Sequence, residues 1–271
     1  MSEGASVLGR IVADTRERVH TRKRAQPIER MLALSRTPEG RRHFARRLAR
    51  GGGINVIAEF KKRSPSRGLI RDDLHPVAVA QSYEIAGAAA LSILTNETFF
   101  GGSLGDLSEA RAATFLPTLQ KDFIVDPYQV REAWIAGADA VLLIAAVLSD
   151  AELMQLKEAA YELLLDPLVE VHDREELERA LSCGATLIGV NNRDLRTMEV
   201  RLETALELAP LIPDDVVAVA ESGIRTSADL RRLRDAGYDG FLIGEHLMAA
   251  PQPGAALEAL LGGAKLERSA P

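Results

Sequence analysis

The run Val56-Ile57-Ala58-Glu59-Phe60-Lys61-Lys62-Arg63-Ser64-Pro65-Ser66-Arg67-Gly68 ends an apolar stretch in an acid, a base and a polar loop. Along a strand successive side chains alternate, so Ile57, Glu59 and Lys61 share one face while Ala58 and Phe60 share the other. A carboxylate and an ammonium that project together can move a proton or hold an anion, and burying them without a task is costly. Alone, a Glu-x-Lys pair is most simply a structural ion pair, because such pairs also perturb pKa values without any function. Comparable residues end other apolar runs: Lys121-Asp122-Phe123, Glu170, Asn191-Asn192-Arg193-Asp194, Glu221-Ser222-Gly223 and Gly244-Glu245. Lys121 follows Leu119, and Glu170 follows Leu168, at the two-residue spacing of a shared face. Two lysines and at least two glutamates facing one cavity push each other's pKa values apart or stabilise the charged forms. A site obtains an acid and a base near neutral pH in this way.

Elements of one repeating kind are expected to position these residues. From residue 54 onward, strand-like runs Ile54–Phe60, Ala90–Thr95, Thr118–Phe123, Ala140–Ala145, Pro167–Val171, Thr186–Asn191, Val216–Ala220 and Gly240–Ile243 alternate with segments of helical period. Those helices span Pro76–Ala86, Leu104–Ala113, Pro127–Ala136, Asp150–Leu164, Arg174–Leu181, Leu202–Leu208 and Ser227–Ala236. Gly87, Gly137, Gly184 and Gly237 follow four of them, where a left-handed residue ends a helix. Eight such units, joined by right-handed crossovers, close into an α/β (β/α)8 TIM barrel more naturally than into an open sheet. The polar residues named above would then share the C-terminal rim, the end of such barrels where chemistry gathers.

The chain has 271 residues, 46% hydrophobic and 27% charged, and α/β barrels commonly use about 250 residues as one domain. No composition break marks a second domain. Residues 1–53 read as an N-terminal helical extension packed on a barrel of residues 54–271, with Gly51-Gly52-Gly53 as a flexible join. Residues 1–50 carry 13 Lys/Arg against 5 Asp/Glu, leaving 20 against 34 for the remainder and an overall charge of −6. This basic segment has interleaved acids and no aromatic stacking platform, so solvated helices around Val7, Leu8, Ile11, Val12 and then Ile28, Met31, Leu32 are favoured over a nucleic-acid arm. Its charge could still attract an anionic substrate. Cys183 is the only cysteine, which excludes an internal disulfide and a Cys-based zinc site and fits a reducing cytoplasm. His20, His43, His75, His172 and His246 show no paired ligand spacing, so no metal is expected. Neither a signal-like stretch nor an apolar run of about 18 residues occurs, and no membrane partner is expected.

Ser222-Gly223 and Gly244-Glu245 put small residues after the seventh and eighth strands, and Gly244–Met248 could open a short helix there. Phosphate sites in this fold are often built at these loops, so a phosphorylated small molecule is the expected substrate.

At these residues the sequence resembles the indole-3-glycerol-phosphate synthase family. The resemblance rests on Ile57–Gly68, Leu94-Thr95 through Phe99-Phe100-Gly101-Gly102-Ser103, Leu116-Pro117 to Lys121-Asp122-Phe123-Ile124, Gly189-Val190-Asn191-Asn192-Arg193-Asp194-Leu195 and Ala220-Glu221-Ser222-Gly223-Ile224. It spans nearly the whole chain. Asn96 stands where the family commonly has an acid, and Glu245 where Ser or Glu occurs. The resemblance implies a lyase of tryptophan biosynthesis, needing no cofactor, that closes the ring of 1-(2-carboxyphenylamino)-1-deoxyribulose 5-phosphate with loss of carbon dioxide and water. It further implies Lys121 as general acid, Glu170 as base with Glu59 as its partner, and Lys61 and Arg193 on the anthranilate carboxylate. Asn191 would orient hydroxyls, and Phe100 and Phe123 would enclose the aromatic ring. Ser222, Gly223, Gly244, the Glu245 backbone and Ser64 would contact phosphate, with Glu221 also against substrate. Two other readings predict different rims: a phosphoribosylanthranilate isomerase-like enzyme would use a simpler acid/base pair, and a non-catalytic phosphometabolite-binding barrel would have degraded strand ends. The loop Arg63–His75 is expected to be mobile and to close over substrate. A monomer and a weak dimer are equally compatible with the sequence.

Overall fold

The computed structural model describes residues 6–32, 40–49 and 53–266. Gly51 and Gly52 of the expected join lie outside the described residues. Eight parallel strands close into a barrel: β1 (Asn55–Phe60), β2 (Ala90–Leu94), β3 (Thr118–Lys121), β4 (Ala140–Ile144), β5 (Asp166–Val171), β6 (Leu187–Asn191), β7 (Val217–Glu221) and β8 (Gly240–Ile243). Each pairs with its sequence neighbour, and β1 pairs with β8 to complete the ring. All eight expected strands form, with ends shifted by at most two residues.

Alternation along these strands separates two cores. Val56, Ala58 and Phe60 face the surrounding helices, whereas Ile57, Leu119, Leu142, Leu168, Val219 and Leu242 fill the barrel interior. The residue two places beyond an interior apolar side chain points into the same space one layer higher. Glu59, Lys121, Glu170 and Glu221 are therefore carried to the upper rim by Ile57, Leu119, Leu168 and Val219.

Local chemistry sets the helix limits. Ser149 and Glu152 form a reciprocal capping box at Asp150–Glu162, and Thr226 and Asp229 form another at Ser227–Asp235. Gly137 closes the Pro127–Ala136 helix at φ 96°, a conformation that costs a side-chain-bearing residue about 1 kcal/mol or more.

The N-terminal segment reaches both ends of the barrel. Helix α1 (Val7–Ala25) packs Ile11, Thr15 and Val19 inward at the C-terminal rim, α2 (Ile28–Leu32) follows, and α3 (Phe44–Leu48) lies at the opposite end. There Phe44 and Leu48 join Ala89, Ala90, Ala140 and Leu187 in the interior core, and Asn55 Nδ2 donates to Leu48 O at 2.7 Å. The bases of α1 are not simply solvated. Arg22 makes a two-pronged pair with Glu132 at 2.8 and 3.0 Å, Lys23 meets Asp126 at 2.9 Å, Arg16 meets Glu152 at 3.1 Å, and Arg18 pairs with Glu97. Four of the six bases of α1 are thus matched by acids of the barrel and its helices. Among the described residues no helix is long and apolar enough to cross a membrane.

Candidate active site

A cavity of about 440 Å³ opens at the C-terminal ends of the strands. Its floor is an alternation of charges. Lys121 Nζ lies 3.0 Å from Glu170 Oε2 and 3.3 Å from Glu221 Oε2, and beside them Lys61 Nζ meets Glu59 Oε1 at 2.6 Å. Burial would lower the Lys121 ammonium, but the carboxylates of Glu170, Glu221 and Glu59 outweigh it and hold the group above the ordinary lysine range. Burial acts upward on Glu170, yet Lys121 and His172 together keep it well below the usual carboxylate range. Glu221, equally buried, is pushed up to about 8, with Glu170 adding to the rise and Lys121 opposing it. Neighbouring carboxylates on one lysine are thus pushed in opposite directions.

Two of these carboxylates fit because a β-carbon is missing opposite them. A side chain on Gly189 would collide with Glu221 Oε1, and one on Gly244 would collide with Glu59 Oε1. The wall on one side is aromatic: the Phe100 and Phe123 rings sit 6.2 Å apart at 36°. Asn191 Oδ1 accepts from the Arg193 backbone N–H at 3.0 Å, and Asn191 lines the cavity.

Ser222 and Gly223 turn the chain after β7 through two successive left-handed residues, at φ 64° and 81°. For a serine that conformation costs of order 1–3 kcal/mol and must be held by its surroundings. Asn192 holds it, with Nδ2 donating to Glu221 O at 3.0 Å and to Ser222 O at 3.1 Å. Gly244 precedes a one-turn helix, Glu245–Met248, as anticipated. Ser222, Gly223, Gly244, Glu245 and Ser64 all line the cavity, so every expected site residue is brought to it.

Three local arrangements go beyond these expectations. Arg193 has partners within the protein: Nη2 lies 3.3 Å from Glu245 Oε2 and Nη1 donates to Met198 O at 3.2 Å. Within Arg63–His75, the segments Arg63–Ser64 and Gly68–Leu69 form a small antiparallel pair, and Arg67 Nε reaches Glu245 Oε1 at 3.0 Å. His172 has two acidic neighbours, with Nε2 3.3 Å from Glu170 Oε1 and Nδ1 3.0 Å from Glu176 Oε2. Strand alternation from Leu168 through Glu170 to His172 was the available signal. Leu8 and Ile11 of α1 also line the cavity, and nothing local in their sequence indicates where that helix docks. Asn96 donates to Asp122 Oδ1 at 3.2 Å, where an acid would oppose a second carboxylate. Among the described residues no group of three or more His, Cys, Asp or Glu is arranged to hold a metal ion.

Comparison with known proteins agrees with this geometry. Residues 8–260 match the family model described as indole-3-glycerol phosphate synthase. An indole-3-glycerol phosphate synthase of Carboxydothermus hydrogenoformans is 47% identical over 261 residues, covering 94% of this chain and 99% of that protein. Solved structures share the fold: a mandelate oxidase aligns at TM-score 0.60 and 19% identity, covering 77% of this chain and 71% of the other. A thiamine phosphate pyrophosphorylase of Pyrococcus furiosus aligns at 0.58 and 18%, covering 79% and 96%. The match of residues 8–260 and the 47% identity over nearly the whole chain place this protein in the indole-3-glycerol phosphate synthase family, the carboxy-lyases that form the indole ring in tryptophan biosynthesis.

Proposed function

We propose that Lys121 is the central acid for ring closure of 1-(2-carboxyphenylamino)-1-deoxyribulose 5-phosphate to indole-3-glycerol phosphate. The reading is carried by one observation: the Lys121 ammonium is buried below the cavity and held between Glu170 at 3.0 Å and Glu221 at 3.3 Å. The aromatic carbon bearing the carboxylate attacks the ketone carbon, and the carbonyl electron pair moves to oxygen, which takes a proton from Lys121. A fixed ammonium in a water-poor site stabilises that developing oxyanion without reorganising. Carbon dioxide then leaves, returning its bonding pair to the ring and restoring aromaticity. Dehydration follows: the hydroxyl takes a proton from the Lys61 ammonium and leaves as water, while a proton passes from the adjacent CH2 group to a base. Glu170 is that base, since it is the ionised carboxylate of the pair, and Glu59, paired with Lys61, supports the proton transfer.

Lys61 meets the anthranilate carboxylate, and Arg193 joins it on release from Glu245. Phe100 and Phe123 flank the aromatic ring, Asn191 orients the hydroxyls, and Glu221 faces the substrate beside Lys121. Phosphate sits against Ser222, Gly223, Gly244, the Glu245 backbone and Ser64. In this reading residues 1–53 are a helical extension of the barrel 54–271, and the protein works in the cytoplasm as a monomer or weak dimer without nucleic-acid or membrane partners. The test follows indole fluorescence on adding substrate to the wild type and to Lys121→Met. Product from the first and a loss of at least about a thousandfold in kcat from the second are expected, because an oxyanion donor alone is worth about 10²–10³. Full activity of the variant would remove Lys121 from this role.

A further inference from the structure

Lys121 has two buried carboxylates beside it, and only one of them meets a second cation. Glu170 gives Oε2 to Lys121 at 3.0 Å and has the His172 imidazole 3.3 Å from Oε1. Glu221 gives Oε2 to Lys121 at 3.3 Å, while its Oε1, like His172 Nε2, is buried without a hydrogen-bond partner. The imidazole is fixed from behind. His172 Nδ1 lies 3.0 Å from Glu176 Oε2, and the same oxygen accepts the His172 backbone N–H at 2.8 Å. Glu176 stands in the first turn of the Arg174–Ser182 helix, where its backbone N–H donates to the Asp173 cap at 2.9 Å. His172 itself does not line the cavity.

We infer that His172 is a positioning residue: held by Glu176 as a cation 3.3 Å from Glu170, it reinforces Glu170 over Glu221 as the ionised carboxylate beside Lys121. This rests on the reading of Glu170 as the base. Lys121 favours Glu170, to which it donates a hydrogen bond at 3.0 Å, but it also meets Glu221 at 3.3 Å, and the second cation widens that difference. Burial does not distinguish them, because both side chains are fully enclosed. The charged groups facing the pair are Lys121 from β3 and His172 from β5, with Glu59 of β1 acting on Lys121, and those facing the imidazole are Glu170 and Glu176. Burial pulls the imidazole down, but the two carboxylates raise it to about 10, so it keeps its charge across the neutral range. Without that charge Glu170, like Glu221, would have Lys121 as its one cationic neighbour. One proton would then be divided between two similar carboxylates, and the pair would titrate as a unit near neutrality.

The test measures kcat at saturating substrate from pH 5.5 to 8.5 for the wild type, His172→Gln and Glu176→Gln. For His172→Gln, kcat at pH 6 is expected to fall below about a tenth of its value at pH 8.5, with KM changed less than about threefold, since each pH unit below a base's pKa removes about tenfold of its ionised form. Glu176→Gln keeps the ring and removes its support, so a smaller shift in the same sense is expected. A misfolded His172 variant, recognised by its melting curve, leaves Glu176→Gln to decide the question. Variants with the pH profile of the wild type would overturn the inference. Undiminished kcat in Glu170→Gln would instead remove the base assignment, a separate result read from a separate protein.

Discussion

Glu221 Oε1 occupies the space in which a β-carbon on Gly189 would sit, one strand away across the β6–β7 pair. The glycine is therefore the condition for a carboxylate beside Lys121. Gly189→Ala is expected to displace Glu221, lowering kcat at least about tenfold in a steady-state assay, because shifts of about 1 Å in a positioned group can cost 10²-fold. An alanine variant with unchanged kcat would show that this placement is not needed.

The same carboxylate makes a stability prediction. Its native pKa of about 8 lies above the unfolded carboxylate value near 4.3, so its contribution to stability is intact below that value and is lost as pH rises to about 8. Glu221→Gln removes this loss. Thermal melts should show the variant gaining on the wild type between pH 5 and pH 8, by roughly 5 °C or more. A gap that stays constant with pH would contradict the assignment.

Glu245 bridges two arginines at the mouth, Arg67 at 3.0 Å and Arg193 at 3.3 Å. Its carboxylate competes with an anionic substrate for both. Glu245→Gln is expected to lower KM about two- to fivefold at low ionic strength, with the difference fading toward 0.5 M salt as screening shortens to about 4 Å. Melting should move little, since partly exposed ion pairs contribute about 0–1 kcal/mol. A higher KM at low salt would mean that the bridge orders the mouth rather than competing for it.

Leu48 of α3 is buried in the barrel interior, far from the chemistry. Leu48→Ala should cost about 2–5 kcal/mol, lowering Tm by roughly 5–15 °C, with kcat at 25 °C nearly unchanged. Activity lost in step with a preserved Tm would point to a coupling between the two ends of the barrel.

The barrel was legible because its signals are local. Apolar runs of strand length, capping residues such as Ser149 and terminating glycines such as Gly137 recur in register. The rim was legible for the same reason, since period-two alternation carries Leu119 to Lys121 and Leu168 to Glu170. What stayed hidden depends on partners distant in sequence. Arg193 gave no sign of Glu245, and α1 gave no sign that Ile11 would reach Phe123. His172 is the intermediate case: its face followed from alternation, but its charge depends on Glu176, which only the turn into the next helix brings near.

The helices that pack at the two ends of the barrel are made before the strands they cover. Their docking partners arrive later: Asp126 and Glu132 for α1, and Ala140 and Leu187 for α3. Ring closure waits longer still, because β1 pairs with β8 at Gly240–Ile243. Long-range contacts of this kind slow folding and leave early apolar surface uncovered. The apolar faces around Ile11 and Phe44 must therefore stay soluble through most of synthesis, and the arginines and lysines flanking them keep that nascent stretch highly charged until the acids that will neutralise it have been made.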